Sequence, residues 1–97
     1  MAAQKSFQID LGGGVERDLQ AIPPDVQRKI LGEIQLRLKA EPFREIKTRI
    51  KRLTGIVPPL YRLRIGEYRA YYRIVGDQAV VLAILHKKHS ERWLRRF

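Results

Sequence analysis

The sequence predicts an α+β fold in which an N-terminal strand and a helical hairpin pack on a small antiparallel sheet, with a short C-terminal helix. Between residues 15 and 40, apolar residues recur at the three- and four-residue spacing of amphipathic helices, with two adjacent prolines between two such runs. Between residues 60 and 86, three β-rich runs are separated by Gly66-Glu67 and Gly76-Asp77, as expected of hairpin turns. We therefore expect a single domain over residues 1–97.

The N-terminal part of the chain is predicted to form one strand and two helices. Apolar and polar residues alternate over 7–11, which indicates a strand, and the glycines at 12–14 end it. A short helix then extends to Pro23-Pro24. The second helix begins at Pro24, because the first helical residue needs no backbone N–H, and it runs to about Ala40.

The remainder of the chain is predicted to be mainly strands. The strands are expected at 50–53, 60–65, 68–75 and 78–86. The last strand is apolar on both faces, so it should lie inside the sheet and be covered on both sides. Ser90 is expected to cap the final helix, on which Trp93 and Phe97 form a docking stripe.

Composition excludes several classes of protein. There is no cysteine, which excludes disulfides, thiol catalysis and cysteine-ligated zinc. No apolar run approaches the ~20 residues of a membrane span, and Met1–Asp10 has no apolar signal-peptide core. We expect a cytoplasmic protein.

The net charge of +10 predicts an anionic partner. Residues 1–43 contain six basic and six acidic residues, whereas residues 44–97 contain fourteen basic and four acidic residues. The second half therefore carries the entire excess. The alternatives are a solvated face without a partner and a membrane surface; the latter is disfavoured because no basic helix carries bulky apolar residues opposite its charges.

The hairpin over 60–75 concentrates this charge on one face. With Gly66-Glu67 as a two-residue loop, Arg64 lies opposite Arg69, and alternation separates a core face from a face that we call the arginine face. Its members are Arg62, Arg64, Arg69, Tyr71 and Arg73. Opposed like charges destabilise a sheet, so a polyanion that binds there would explain them. Alternatively, these arginines form ion pairs with Glu33, Glu41 or Glu45.

The same register, continued into the last strand, places His86 on the arginine face. His86 and His89 are the only histidines and few acids are near them in sequence, so we expect no metal and no cofactor. The glycines at 12–14 match no nucleotide-binding motif.

The sequence resembles the RelE/ParE toxin superfamily over residues 15–93. The distinctive segments are Leu-Tyr-Arg-Leu-Arg-Ile-Gly-Glu-Tyr-Arg-x-x-Tyr-Arg-Ile at 60–74 and Val-Val-Leu-x-Ile-Leu-His-Lys-Lys at 80–88. The resemblance implies a toxin that cleaves mRNA in the ribosomal A site without metal, in a hetero-oligomer with an acidic antitoxin. The alternatives are a ParE-like, non-enzymatic inhibitor of DNA gyrase and a plain RNA-binding module.

The resemblance also implies which residues act. Arg62, Arg64 and Arg69 match basic residues of the RelE branch, but its usual late tyrosine or arginine has no clean equivalent. His86 and Lys88 occupy that neighbourhood and are the candidates for the general base, since RNA supplies its own 2′-OH nucleophile. Further contacts to RNA are expected from Lys47, Arg49, Lys51, Arg52, Tyr71, Arg73, Lys87, His89, Arg92 and Trp93.

Overall fold

A computed structural model describes residues 6–97. Its elements are β1 (Gln8–Leu11), α1 (Val15–Gln20), α2 (Pro24–Leu38), β2 (Ile50–Leu53), β3 (Leu60–Ile65), β4 (Tyr68–Val75), β5 (Gln78–His86) and α3 (Lys87–Leu94). Each element was predicted from the sequence, and the bounds of β2 to β5 agree with the prediction. Among the described residues, no helix is long and apolar enough to cross a bilayer.

The five strands form one sheet in the order β1-β5-β4-β3-β2. Strands β3 to β5 form the predicted antiparallel meander, and β5 lies inside the sheet. Strand β2, for which no partner was predicted, pairs with β3 in antiparallel orientation. Strand β1 pairs with β5 in parallel, with Gln8 opposite Gln78, so the sheet is mixed rather than wholly antiparallel. Alternation along a strand indicates which side chains share a face, but it does not encode the direction of the neighbouring strand.

Helices cover both faces of the sheet. On one face, α1 contacts β5 and α2 contacts β3. Ile30, Ile34 and Leu38 of α2 are buried in a core with Leu63 and Tyr72 from the strands. Helix α2 begins at Pro24, as predicted, because proline fixes a helical φ where no donor is needed. On the other face, α3 packs on β4 and β5, which confirms that β5 is covered on both sides.

A β-bulge in β5 changes which face the end of this strand presents. Tyr72 pairs with Val81, but Tyr71 pairs with Ala83, so Leu82 is an extra residue. Beyond the bulge, His86 pairs with Tyr68, on the face that packs against α1 and α2. The prediction that His86 lies on the arginine face was wrong, because one extra residue shifts the alternation of the strand by one position.

Helix α3 follows β5 without an intervening loop. His86 therefore occupies the N-cap position, where its Nδ1 accepts a hydrogen bond of 3.2 Å from the backbone N–H of Lys88. Ser90, which was expected to cap the helix, lies within it and is buried. The prediction of Ser90 as the cap was wrong because the strand continues to the first residue of the helix.

Candidate functional site

The arginine face is built by the β3–β4 hairpin in the predicted register. Arg62 pairs with Tyr71, and Arg64 lies directly opposite Arg69. The three glutamates that the sequence offered as alternative ion-pair partners of these arginines interact with other residues. Glu33 pairs with Arg37 and Arg49, Glu41 pairs with Arg44, and Glu45 accepts the backbone N–H of Arg52. Within residues 6–97, none of the four arginines on this face forms an ion pair.

Arg69 is held in place at the hairpin turn. One of its terminal nitrogens donates to the backbone oxygens of Gly66 and Tyr68, each at 2.9 Å. Partial burial, followed by the positive charges of Arg64 and Arg62, lowers the pKa of Arg69 below its ordinary value. Arg64 is exposed. The face therefore presents one fixed and one free guanidinium to an approaching anion.

Helix α3 covers the end of the arginine face that is distant from the turn. Trp93 stacks on Tyr71, with ring centroids 4.8 Å apart, and Tyr71 is only 1% exposed. The guanidinium of Arg73 lies 5.5 Å from the ring centroid of Phe97, which also contacts Trp93. Trp93 and Tyr71, both expected to contact RNA, thus stack on each other, because the docking stripe of α3 needs an apolar partner.

Arg62 and Arg73 lie at the border of the covered region. Both are partly buried, and the Nε atoms of both are buried without a hydrogen-bond partner in the described part of the chain. Lys51 pairs with Arg62 across β2 and β3, so its side chain lies on the same face. Arg52 pairs with Tyr61 and therefore points to the opposite face.

The residues around His86 form a second group, on the opposite face of the sheet. His86, Lys88 and His89 line a cavity of about 300 Å³ together with Asp18 of α1 and Tyr68. The rings of His86 and Tyr68 are 5.3 Å apart, and the carboxylate of Asp18 is engaged with the backbone N–H of Ile84. The structure therefore does not bring His86 onto the face that carries Arg64 and Arg69.

Glu67 connects the hairpin turn to the start of α3, a role that the sequence did not indicate. Its backbone oxygen accepts the N–H of Lys87 at 2.7 Å, and its carboxylate lies 3.1 Å from Nζ of Lys87 and 3.9 Å from Nε2 of His86. The hydrogen bond and the charge of Lys87 lower the pKa of Glu67. Glu67 occupies a turn position, and only its proximity in space to Lys87 reveals its contact.

The other predicted contacts are spread over the surface. Lys47, Arg49, Lys87, His89 and Arg92 are exposed. Lys47 and Arg49 lie on the loop before β2, whereas Arg92 lies on α3. Within residues 6–97, no group of three His, Asp or Glu side chains is arranged to hold a metal ion.

Comparison with known proteins identifies the family. The family model for the ParE toxin of the type II toxin–antitoxin system parDE matches residues 10–91. Toxin RelE3 of Methanocaldococcus jannaschii is 28% identical over 72 residues, which are 74% of this chain and 81% of the relative.

Two solved structures have a similar fold. The toxin–antitoxin complex RelBE2 of Mycobacterium tuberculosis gives a TM-score of 0.74 at 24% identity, over 89% of this chain and 97% of the matched chain. The archaeal RelE–RelB complex of Pyrococcus horikoshii gives a TM-score of 0.69 at 25% identity, over 84% of this chain and 94% of the matched chain. The chain belongs to the ParE toxin family of type II toxin–antitoxin systems, within the RelE/ParE superfamily.

Proposed function

We propose that this toxin is a RelE-like endoribonuclease of the cytoplasm, which cleaves mRNA in the ribosomal A site through residues 1–97 acting as one domain. The observation that carries the proposal is the opposition of Arg64 and Arg69, neither of which pairs with an acid in the described part of the chain. Two arginines on directly opposed positions of a hairpin favour a phosphate, which can accept hydrogen bonds from both guanidinium groups.

In the proposed reaction, the 2′-oxygen of one nucleotide attacks the adjacent phosphorus. A base on the enzyme takes the 2′-OH proton, and the bond from phosphorus to the 5′-oxygen breaks as that oxygen takes a proton from an acid group on the enzyme or from water. The products are a 2′,3′-cyclic phosphate and a 5′-hydroxyl. Arg64 and Arg69, with Arg62 at the edge of the face, stabilise the negative charge that accumulates on the phosphate oxygens. The ribosome contributes by holding the mRNA in an orientation suited to attack.

Two side chains are candidates to accept the proton. Nδ1 of His86 accepts a hydrogen bond in capping α3, so in the neutral ring the proton lies on Nε2, which faces Glu67. His86 would therefore act as the base through Nδ1, after that capping hydrogen bond is released. Lys88 is exposed in the first turn of α3. Either group would need to reach the RNA around the end of the sheet, because both line the cavity on the α1 side.

The decisive experiment is cleavage of mRNA by purified toxin, with and without ribosomes, in EDTA-treated and magnesium-containing buffers. Ribosomes themselves require magnesium, so the complex of ribosome and mRNA is cross-linked first, and EDTA is added before the toxin. We expect cleavage only with ribosomes, insensitive to EDTA, with the two product ends named above. Intact mRNA under all conditions would refute the proposal.

The second candidate function is inhibition of DNA gyrase. It is favoured by one feature of the sequence, which lacks a clean equivalent to the late RelE residue. A supercoiling assay with the same toxin preparation distinguishes the two. Inhibited supercoiling together with intact mRNA would establish the gyrase inhibitor.

We also propose an acidic antitoxin as the partner in a hetero-oligomer. Two of the solved structures with a similar fold are complexes of a toxin with its antitoxin, and the excess positive charge of residues 44–97 is complementary to an acidic chain. We expect the antitoxin to cover the arginine face or displace α3. Co-expression should abolish toxicity, and a toxin that is harmless when expressed alone would contradict the proposal.

A further inference from the structure

A cavity of about 330 Å³ lies at the turn end of the β3–β4 hairpin, beside the arginine face. It is lined by Thr48, Arg49, Arg64 and Gly66. Two arginines and a threonine therefore border one open space. Only Arg64 belongs to the arginine face; Thr48 and Arg49 come from the loop that precedes β2.

The loop that supplies Thr48 and Arg49 is fixed by backbone hydrogen bonds. The N–H of Ile46 donates to the oxygen of Ile50 at 2.9 Å, and the N–H groups of Arg49 and Ile50 donate to the oxygen of Ile46 at 2.8 and 3.0 Å. In addition, the N–H of Arg64 donates to the oxygen of Arg49 at 2.7 Å, which ties the loop to β3. The backbone that carries these side chains is therefore fixed before any ligand arrives, which lowers the entropic cost of binding.

The charge of the cavity is poorly compensated. Glu33 is the acid that Arg49 approaches, at 3.9 Å, and the other carboxylate oxygen of Glu33 accepts a closer contact of 3.2 Å from Arg37. Arg64 forms no ion pair within residues 6–97. The residues that border the cavity thus supply two guanidinium groups and a hydroxyl, which are hydrogen-bond donors that suit phosphate.

We propose that this cavity binds a second phosphate of the mRNA strand, next to the phosphate that is cleaved. The inference rests on the proposed function and adds Thr48 and Arg49 to it as residues that position the strand. Arg64 lies between the two sites, because it both opposes Arg69 and lines the cavity. A continuous strand could therefore place successive phosphates on either side of Arg64, and this would fix the register of cleavage.

The test uses mRNAs programmed on ribosomes, each with one neutral methylphosphonate near the A-site codon. The nucleotide preceding the modification carries a 2′-O-methyl group for chemical stability, and the 2′-O-methyl RNA with a normal phosphate serves as the reference. The scissile linkage is left unmodified. For each RNA, we measure the toxin concentration that gives half-maximal cleavage and the cleavage rate at saturation.

We expect one flanking methylphosphonate to raise the half-saturating concentration of the wild-type toxin about tenfold, as the loss of a charge-assisted hydrogen-bonded contact implies. Arg49→Gln should raise it about tenfold on unmodified RNA, with little change in the rate at saturation, and should be insensitive to that one methylphosphonate. Thr48→Val should give a smaller shift with the same loss of sensitivity. Arg44→Gln, on the same loop but outside the cavity, should behave as wild type.

The outcomes separate the two proposals. If the wild-type toxin cleaves, but both it and Arg49→Gln respond equally to every methylphosphonate, the cavity does not bind a flanking phosphate and the nuclease proposal survives. If the wild-type toxin does not cleave ribosome-bound mRNA at all, the proposed function and the flanking-phosphate site both fail.

Discussion

Replacing Arg64 and Arg69 by alanine, one at a time, separates their shared electrostatic effect from their different structural roles. Each substitution removes the repulsion between two opposed guanidinium groups. Only Arg69, however, donates hydrogen bonds to the backbone, at Gly66 and Tyr68. The two variants should therefore lose activity together and differ in stability.

The magnitudes follow from these contacts. Removing an opposed like-charge pair should stabilise the hairpin by about 0.5 kcal/mol, which corresponds to a rise of about 2–4 °C in Tm for a domain of this size. Arg69→Ala gains the same stabilisation from the relief of repulsion, but it also loses two hydrogen bonds, each of which contributes at most about 1 kcal/mol. The net loss of up to about 1.5 kcal/mol should lower the Tm by several degrees. Any effect of alanine on strand propensity applies to both variants and cancels in the comparison.

The assay combines thermal melting with the proposed ribosome-dependent cleavage reaction. Both variants should remain folded and lose cleavage by about 10²–10³-fold, as expected when a donor to a developing anion is removed. An Arg64→Ala variant that melts below Arg69→Ala would refute the reasoning about the like-charge pair. A folded variant of either residue that cleaves at the normal rate would remove that residue from the site.

Three further predictions concern residues outside the arginine face. His86→Asn should retain the cap of α3, whereas His86→Ala should lower the free energy of unfolding by about 1 kcal/mol. If cleavage is slowed about 10²–10⁴-fold in both variants, His86 is the base. Normal cleavage by His86→Asn would assign His86 a capping role only. Tyr72→Phe should lower the free energy of unfolding by about 1–3 kcal/mol in denaturant titrations, because the buried backbone oxygen of Pro42 loses the hydrogen bond that it accepts from the Tyr72 hydroxyl. A decrease of less than about 0.3 kcal/mol would contradict this. The pKa of Glu67 in the folded protein is depressed below its ordinary value of 4.5. Its pairing with Lys87 therefore stabilises the fold fully above pH 4.5, and this stabilisation is lost as the pH falls through the folded-state pKa. The Tm of Glu67→Gln should lie below that of the wild type at pH 7, and the two Tm values should converge below about pH 4.5.

The hairpin of β3 and β4 was predictable in detail because its signals are local. Gly66 and Gly76 have positive φ values of 56° and 61°, which the turns require and which glycine adopts without strain. Once the turn is fixed, alternation determines which side chains share a face. The opposition of Arg64 and Arg69 therefore follows from the sequence alone.

The bulge at Leu82 could not be predicted in the same way. The strand is apolar on both faces over 80–85, so no polar residue marks the position at which the alternation shifts. The face of His86 depends on this shift and was therefore predicted wrongly. The contacts of Glu67 with Lys87, and of Thr48 with the cavity beside Arg64, join segments that are distant in sequence, and composition carries no signal for them.

The stack of Trp93 on Tyr71 gives the toxin an internal spectroscopic reporter. Trp93 is the single tryptophan of the chain, and its ring is sandwiched between the sheet and the guanidinium of Arg96, which lies 5.5 Å from its centroid. Its fluorescence therefore reports one event, the docking of α3. Separation of the helix from the sheet would expose the indole to water and shift its emission to the red. The position of α3 can thus be followed in unlabelled toxin while an antitoxin or a ribosome is titrated.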